Sequence, residues 1–325
     1  MPHNDMKRVV DYMRSMVARE LDGRTFSGTE VPADPANGRF ARYWVHGEDV
    51  VRADGSQAPV VVVLHGGGFA LGDARKGDAL REWIAQRFEA RAIGVDYRLA
   101  PENPAPCALD DVVAAIRYVS NRFADNEALP PSVYLMGFSA GANLALAAAL
   151  ELQGSSDVSL GGLALHYPMV DSSDKTPEEN DTEGLPHELM AAFTRWYAAG
   201  RDLKDIKISP ALAPDDALRH LPPVTIYPVL GDSLFGQAER LRDRLVSLGC
   251  PVSWHPVAGM YHGYAEDAED MDLYRATTAP ITMKGRPTDF VNVAARELDA
   301  SLVELLGPAR NDVVFPSLEK GDGTE

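Results

Sequence analysis

The sequence predicts an α/β fold in which helices flank a mostly parallel central β-sheet. Short apolar runs alternate along the chain with longer segments of helical periodicity. The run at residues 60–64, Val-Val-Val-Val-Leu, is apolar at every position, which suits a strand covered on both faces. Strands that alternate with helices favour parallel pairing. A Gly-x-Ser-x-Gly motif at residues 137–141 lies between a predicted strand and a predicted helix, as expected for such a sheet.

The predicted elements follow one another in a regular order. Residues 4–21 have the spacing of an amphipathic helix, whose apolar face needs a packing partner. Residues 39–45 and 49–52 predict a short antiparallel pair. Further strands are predicted at residues 59–64, 92–96, 132–136, 163–167, 224–229 and 252–257, and further helices at residues 76–88, 107–123, 140–153, 236–248 and 289–306.

An unusually long connection joins the strand that ends at Tyr167 to the strand that begins at Val224. We therefore predict a single domain over residues 1–325, with a small helical cap formed by residues 1–23 and 171–219. The cap includes a helix at residues 186–199 that carries several large apolar side chains. Two segments outside the cap are predicted to lack regular structure, an acidic loop at residues 265–287 and a flexible tail at residues 307–325.

Charge and cysteine content exclude several classes of protein. A formal net charge of −17 disfavours nucleic acid, anionic membranes and strongly anionic substrates, so we expect a neutral or cationic small molecule as the partner. Cys107 and Cys250 are far apart and lack metal-ligand spacing, which argues against a disulfide framework and a zinc site. Residues 1–23 lack the apolar core of a signal peptide, so a cytoplasmic location is predicted. A homo-oligomer is compatible with these observations.

Ser139, at the centre of the Gly-x-Ser-x-Gly motif, is the predicted nucleophile. A serine hydroxyl reacts well only when a base takes its proton and when it stands clear of its own backbone. A sharp turn from strand to helix exposes the hydroxyl, and Gly137 and Gly141 provide the space that such a turn needs. The helix after the turn directs free N–H groups and its positive dipole end to the same point.

Three consecutive glycines follow the predicted strand that ends at Leu64, within the sequence His65-Gly66-Gly67-Gly68-Phe69. Glycines let backbone N–H groups approach a ligand oxygen closely, so this segment is interpreted as a loop that stabilises negative charge on a reacting oxygen. A merely flexible turn is the alternative. Three glycines directly after a buried strand carry an entropic cost that favours the functional interpretation.

Chain order restricts the choice of base and acid, because a sheet with this serine turn places the acid and then the histidine after the serine. His255 and His262 both satisfy that order, and His262 is preferred because it follows a strand in a loop, whereas His255 lies within the strand pattern. Asp232 and Asp171 each follow a strand. Asp232 is preferred because a tight connection to the next helix follows it.

These motifs together resemble the hormone-sensitive-lipase-like, or bacterial family IV, esterases of the α/β-hydrolase fold. The resemblance spans residues 60–264 and is carried by five motifs in the same order, at residues 65–69, 96–102, 137–141, 232–234 and 262–263. It implies a carboxylesterase that acts on short acyl chains without a cofactor. By this resemblance Ser139 is the nucleophile, His262 the general base and acid, and Asp232 its orienting partner.

The resemblance also implies that the N–H groups of Gly67, Gly68 and Ala140 form the oxyanion hole. Large apolar side chains near the site are expected to contact the substrate, namely Phe69, Phe138, Phe193, Trp196 and Tyr197. Two other functions use the same scaffold. One is acyl transfer to an alcohol or amine, and the other is non-catalytic binding of a small molecule, which is favoured only where the triad has decayed.

Overall fold

The computed structural model describes residues 3–125, 129–174, 187–269 and 290–316. These residues contain an eight-stranded sheet in the order β1-β2-β4-β3-β5-β6-β7-β8. β2 is antiparallel to both β1 and β4, and all other neighbouring strands are parallel. The strands are β1 (Thr29–Val31), β2 (Arg42–His46), β3 (Val60–Leu64), β4 (Arg91–Asp96), β5 (Ser132–Phe138), β6 (Ser159–His166), β7 (Val224–Tyr227) and β8 (Val252–Trp254).

Helices cover both faces of this sheet. The α-helices of the described residues are α1 (His3–Leu21), α2 (Asp78–Phe88), α3 (Cys107–Arg122), α4 (Ala140–Glu151), α5 (His187–Ala198), α6 (Asp215–Arg219), α7 (Phe235–Ser247), α8 (Tyr264–Glu269) and α9 (Phe290–Leu306). Side chains of α3, α4, α5 and α7 share one apolar cluster. Side chains of α2, α8 and α9 belong to a second cluster. The predicted α/β class and the mostly parallel sheet are confirmed.

The apolar run of β3 has a simple physical explanation. Val60 and Val62 contribute to the first cluster, whereas Val61 and Val63 contribute to the second. Because successive side chains of a strand point to opposite faces, a strand between two cores must be apolar at every position. β3 pairs with β4 on one side and with β5 on the other, so it lies in the middle of the sheet.

The antiparallel pair predicted at residues 39–45 and 49–52 is wrong. β2 does form near the first of these stretches, but its partners are β1 and β4. Gly47 follows β2 with φ +68, where a Cβ would lie 2.6 Å from the carbonyl oxygen of Ala90, so the chain turns sharply away. β2 instead pairs antiparallel with β4, and β1 pairs antiparallel with β2, so these two strands extend one side of the parallel sheet. The local sequence pattern does not reveal this pairing.

The connection after His262 also differs from the prediction. Residues 265–269 belong to helix α8 rather than to a loop, with Tyr264, Ala265 and Ala268 fully buried. The acidic composition of this segment concealed a helix whose apolar face packs in the second cluster. The rest of the predicted loop, residues 270–287, lies outside the described residues, as do residues 175–186 of the predicted cap.

The start of the predicted tail, residues 307–316, packs on α2. The Phe315 ring is 4% exposed and meets Trp83 edge-on at 5.3 Å between ring centroids. The N–H group of Arg310 donates to the carbonyl oxygen of Arg87 at 2.8 Å. Phe315 thus anchors this stretch to α2, although residues 310–312 are exposed, and the flexibility of the tail stays a prediction. Residues 317–325 lie outside the described residues.

Helix α1 packs on the body through buried side chains of Val10 and Leu21. The Arg14 guanidinium donates to the carbonyl oxygens of Ala70 and Ala100, at 2.7 and 2.6 Å. It also forms an ion pair with Glu102 at 3.0 Å. These contacts attach α1 to the segment that follows the glycine loop. Among the described helices, none combines the length and the hydropathy required to span a membrane.

Candidate active site

Ser139 occupies the sharp turn between β5 and α4. Its backbone has φ +51 and ψ −113, and L-amino acids rarely adopt this left-handed region because it is sterically strained. The N–H group of Ser139 donates to the carbonyl oxygen of His166 at 3.0 Å, which ties the turn to the adjacent strand β6. The turn is therefore held in its strained conformation by hydrogen bonding to the sheet.

The two glycines of the motif are needed for close approach. A Cβ at position 137 would lie 2.4 Å from the carbonyl oxygen of Gly141. A Cβ at position 141 would lie 2.1 Å from the carbonyl oxygen of Leu64, at the end of β3. Both contacts are with backbone atoms, which cannot rotate away as a side chain can. These contacts explain why both positions of the Gly-x-Ser-x-Gly motif are glycine.

Ser139, His262 and Asp232 form one chain of hydrogen bonds. His262 Nε2 lies 2.9 Å from Ser139 Oγ, and His262 Nδ1 lies 2.7 Å from Asp232 Oδ2. The second carboxylate oxygen of Asp232 accepts the N–H group of Leu234 at 3.1 Å. Ser139 is 4% exposed and Asp232 is 3% exposed, so the chain is shielded from water. A serine in this arrangement can lose its proton to the imidazole as it attacks an electrophile.

The electrostatic surroundings of His262 favour its protonated form. Burial alone would lower the pKa of the imidazole, but the charge and hydrogen bond of Asp232 outweigh burial, and the pKa is raised above its ordinary value. The charges of Glu266 and Asp267 act in the same direction. An imidazolium that forms when His262 takes a proton is therefore stabilised where it forms.

The alternative acid and the alternative base are used elsewhere. Asp171 Oδ1 accepts the N–H and the hydroxyl of Ser173, at 2.9 and 2.6 Å, and so closes a local turn. His255 Nε2 lies 3.1 Å from Glu304 Oε2, and its ring stacks on Tyr227 with centroids 4.7 Å apart. The hydrogen bonds of the described residues thus join Asp232 and His262 to Ser139, and they leave Asp171 and His255 outside that chain.

The glycine loop lies beside the serine turn. Gly67 and Gly68 have φ +110 and +59, and a Cβ on Gly68 would lie 2.0 Å from the Phe193 ring. Within the described residues, the N–H groups of Gly67, Gly68 and Ala140 donate to no backbone or side-chain acceptor. All three predicted oxyanion donors are thus uncommitted to other groups among the described residues. The N–H group of Gly66 is engaged, because it donates to Glu266 Oε1 at 2.7 Å.

Four of the five aromatic residues predicted to contact the substrate lie together. The rings of Phe69 and Tyr197 stack at 3.7 Å between centroids, and the rings of Phe193 and Trp196 meet at 6.3 Å. Phe138 is separate, because alternate residues of β5 face opposite sides of the sheet and Phe138 enters the second cluster. There it packs on His166, so its placement does not support the predicted substrate contact.

Sequence reasoning missed Glu266. It lies in a stretch rich in Asp and Glu that was expected to be a loop, and no local feature distinguishes it from its acidic neighbours. A helical interpretation of residues 264–269 would have placed Tyr264, Ala265 and Ala268 on one face, but it would not have placed Glu266 with them. The contact with Gly66 itself joins residues 200 positions apart, and only the tertiary structure reveals it.

Comparison with known proteins identifies the family. Residues 61–266 match a family described as having the alpha/beta hydrolase fold, and this match covers more than half of the chain. The chain belongs to the alpha/beta hydrolase family. The matched residues include the glycine loop, the serine turn and His262, so the family match and the hydrogen-bonded chain concern the same part of this hydrolase.

Relatives of this alpha/beta hydrolase are named as esterases. Esterase LipI of Mycobacterium tuberculosis is 34% identical over 236 residues, which are 72% of this chain and 72% of the relative. Carboxylesterase NlhH of the same species is 35% identical over 215 residues, 65% of this chain and 67% of the relative. Among solved structures, EstE1, a thermostable carboxylesterase from a metagenomic library, matches 93% of this chain and 98% of its own, with TM-score 0.68 and 25% identity.

These comparisons bear on three predictions from the sequence. The resemblance to hormone-sensitive-lipase-like esterases is confirmed, as is the α/β-hydrolase fold. The prediction of a carboxylic ester hydrolase is confirmed by the names of the relatives. The roles of individual residues and the range of substrates stay predictions.

Proposed function

We propose that this alpha/beta hydrolase is a serine carboxylesterase that cleaves small neutral esters with short acyl chains. The observation that carries the proposal is the continuous chain of hydrogen bonds from Ser139 through His262 to Asp232, with distances of 2.9 and 2.7 Å. In this proposal Ser139 is the nucleophile, His262 the general base and acid, and Asp232 the group that orients the imidazole. Loss of any of the three groups would break the chain.

The reaction proceeds in two steps. Ser139 Oγ attacks the carbonyl carbon of the ester while His262 Nε2 takes the hydroxyl proton, and the carbonyl oxygen becomes an oxyanion. His262 then gives that proton to the departing alkoxide, which leaves as the alcohol, and the acyl group stays on Ser139. A water molecule attacks the acyl-enzyme with His262 again as the base. Collapse of the second tetrahedral intermediate releases the acid and restores the Ser139 hydroxyl.

The N–H groups of Gly67, Gly68 and Ala140 serve as the oxyanion hole in this proposal. Their lack of an acceptor among the described residues supports the role, because a donor committed to another group could not also bind the oxyanion. Ala140 is the first residue of α4, so the positive end of that helix dipole acts on the same oxygen.

Packing around the glycine loop supports a preference for short acyl chains. Helix α5 touches the loop at two successive residues, with Phe193 against Gly68 and Tyr197 against Phe69. Rigid aromatic rings so close to the proposed oxyanion donors restrict the volume beside Ser139. The net charge of −17 supports neutral or cationic substrates over anionic ones. Phe69, Phe193, Trp196 and Tyr197 are the proposed substrate contacts.

Acyl transfer and non-catalytic binding stay as alternatives on the same scaffold. Acyl transfer uses the same acyl-enzyme, with an alcohol or amine in place of water, and product analysis with an added alcohol separates it from hydrolysis. Non-catalytic binding is disfavoured by the intact hydrogen-bonded chain, because a receptor has no need of an aligned base and nucleophile.

Covalent labelling tests the proposal directly. The folded protein is incubated with an organophosphonate, and the modified residue is identified by peptide mass spectrometry alongside hydrolysis of a nitrophenyl acetate ester. We expect a single adduct on Ser139 and parallel loss of esterase activity, with no adduct in a heat-unfolded control. An adduct on another serine that accounts for the lost activity would overturn the assignment of the nucleophile.

A further inference from the structure

Glu266 connects the glycine loop to the segment that contains His262. Its carboxylate oxygen Oε1 accepts the buried N–H group of Gly66 at 2.7 Å. The second carboxylate oxygen is also close to Gly66, since a Cβ on Gly66 would lie 2.6 Å from Glu266 Oε2. A charged acceptor makes this hydrogen bond stronger than one to a neutral group.

The helix that carries Glu266 is firmly anchored. α8 begins at Tyr264, two residues after His262, and buries Tyr264, Ala265 and Ala268 completely. Asp267, the next residue, lies 3.8 Å from Lys76 in the turn that precedes α2. The residues before and after Glu266 in this helix are thus packed against the rest of the protein.

Tyr167 brings the same carboxylate close to His262. Its hydroxyl lies 3.5 Å from Glu266 Oε2 and 3.4 Å from the Glu266 backbone nitrogen. Its ring lies 5.0 Å from the His262 ring, between centroids. Glu266, Tyr167 and His262 therefore form one contact cluster at the carboxyl ends of the strands. Gly66 joins this cluster through its hydrogen bond to the Glu266 carboxylate.

The glycine loop needs such an external anchor. Three consecutive glycines have little conformational preference of their own, so neighbouring groups must select the loop geometry. The far end of the loop is held by Gly67, whose carbonyl oxygen accepts the N–H groups of Ala70 and Leu71 at 3.1 and 2.8 Å. At the near end, Glu266 accepts the Gly66 N–H group, while the carbonyl oxygen of His65 in the same peptide accepts the Tyr97 hydroxyl at 2.8 Å.

We propose that Glu266 is a positioning residue for the oxyanion hole. By accepting the Gly66 N–H group, it holds the loop whose next two residues supply proposed oxyanion donors. It also fixes that loop relative to the helix that follows the general base, so donors and base keep one geometry. The inference rests on the proposed function, because Glu266 would hold the donors that stabilise the oxyanion of that reaction.

Two variants of similar volume separate the hydrogen bond from the charge. Glu266→Gln keeps an oxygen acceptor for Gly66 and removes the charge, whereas Glu266→Met fills the space without a comparable acceptor. Asp267→Asn is the matched control, since it removes a neighbouring buried carboxylate that does not bond to Gly66. Steady-state kinetics with a nitrophenyl ester give kcat and KM, and a boronic acid that forms a tetrahedral adduct with serine reports on the oxyanion hole.

We expect kcat of Glu266→Met to be about 10- to 100-fold lower than that of Glu266→Gln, with KM changed little, because the donors act mainly in the transition state. Affinity for the boronic acid should fall with kcat. Glu266→Gln should instead resemble Asp267→Asn, since both lose one negative charge. Thermal unfolding of each variant shows whether the protein is folded at the assay temperature.

Equal kcat values for folded Glu266→Met and Glu266→Gln would overturn the positioning role. So would a loss confined to KM, or a loss of kcat with unchanged affinity for the boronic acid. If Glu266→Met does not fold, Glu266→Asp replaces it, because the shorter side chain withdraws the carboxylate and should give the same pattern. These outcomes leave the proposed function intact, since labelling of Ser139 by the organophosphonate tests that function independently.

Discussion

At the scale of single residues, Ser139 combines a strained backbone with a well-ordered side chain. Its left-handed φ of +51 is stabilised by the hydrogen bond from its N–H group to His166, and its hydroxyl is directed to His262. The strain is located at the proposed nucleophile, whereas the groups that maintain it belong to the sheet. We therefore expect that a substitution of the Ser139 side chain lowers activity without unfolding the protein.

Ser139→Ala should lower kcat for a nitrophenyl acetate ester by about 10⁴- to 10⁶-fold, because only the nucleophile is lost. Alanine fits the turn, so thermal unfolding should stay close to that of the parent protein. Ser173→Ala is a matched control, since Ser173 hydrogen-bonds to Asp171 outside the catalytic chain, and its kcat should stay near that of the parent. Near-normal turnover by a clean preparation of the Ser139 variant would contradict the mechanism.

Asp232→Asn should reduce kcat near neutral pH by about 10⁴-fold, a magnitude known from the serine-protease triad, because the amide favours the wrong tautomer of His262. Asp171→Asn should have a far smaller effect, since Asp171 only closes a local turn. A reversal of the two results would transfer the role of the acid to Asp171.

The pH profile gives a second test of Asp232. Its charge raises the pKa of His262 above 6.5, and His262 must be neutral to act as a base. The rise of kcat/KM on the acidic side should therefore be centred above pH 6.5 in the parent protein, and activity should be lost as pH falls through that raised pKa. In Asp232→Asn the residual activity should rise at a lower pH. A profile that does not move would show that Asp232 does not set this pKa.

At the scale of elements, helix α1 is attached to the segment that follows the glycine loop. Arg14 donates to the carbonyl oxygens of Ala70 and Ala100, and Val10 is buried in the first apolar cluster. Helix α5 reaches the same loop through Phe193 and Tyr197. The two helices thus contact neighbouring residues of one segment, so we expect both to influence acyl-chain preference.

A series of nitrophenyl esters of increasing acyl length should show maximal kcat/KM at roughly two to six carbons, because each buried methylene adds about 0.8 kcal/mol until the space is full. Deletion of residues 1–23 should lower turnover of short esters and weaken discrimination between lengths, since the deletion removes the Arg14 contacts. Arg14→Met in the full chain is the milder variant for comparison. An optimum at ten or more carbons, or an unchanged profile after deletion, would separate these helices from the acyl site.

At the scale of the whole molecule, the sheet separates two apolar clusters, and a row of aromatic rings crosses its strands on one face. Phe138, His166, Tyr227 and His255 follow one another with ring centroids 5.1, 5.0 and 4.7 Å apart. His166 is fully buried in this row, and neither ring nitrogen has a hydrogen-bond partner within the described residues. Burial lowers its pKa to about 3.

His166 should make the fold sensitive to acid. Because its pKa is about 3 in the folded protein and 6.5 as a free side chain, the unfolded chain binds more protons between these values. Its contribution to the free energy of unfolding is complete above pH 6.5 and is lost at about 1.4 kcal/mol per pH unit as pH falls towards 3. His166→Phe should flatten this part of the profile in denaturant unfolding between pH 6.5 and 5.

His255→Gln is the comparison for that measurement, because it replaces the other histidine of the row, whose side chain is 43% exposed rather than buried. Phenylalanine keeps the ring between its aromatic neighbours and removes two buried polar nitrogens, so stability near pH 7 should be equal or higher. An unaltered slope in His166→Phe would assign the acid sensitivity to other groups.

Local patterns in the sequence were sufficient to predict the sheet and the serine turn. The clusters on either side of the sheet require strands such as β3 to be apolar throughout, and the Gly-x-Ser-x-Gly spacing marks a turn that leaves no room for a Cβ at Gly137 or Gly141. Chain order then predicted Asp232 and His262, which the structure joins to Ser139. The apolar run and the glycine spacing are local patterns, so they are visible in the residues themselves, although the atoms that exclude a Cβ at Gly141 belong to Leu64 and His65.

Tertiary structure decided the features that depend on distant parts of the chain. The partners of β2, the helix α8, the buried Phe315 and the placement of Phe138 on the second cluster all follow from packing between separate segments. The bond between Glu266 and Gly66 joins residues 200 positions apart. A carboxylate in an acidic stretch has the same local pattern whether it faces solvent or an inner N–H group, because burial and hydrogen-bond partners depend on how the whole chain packs.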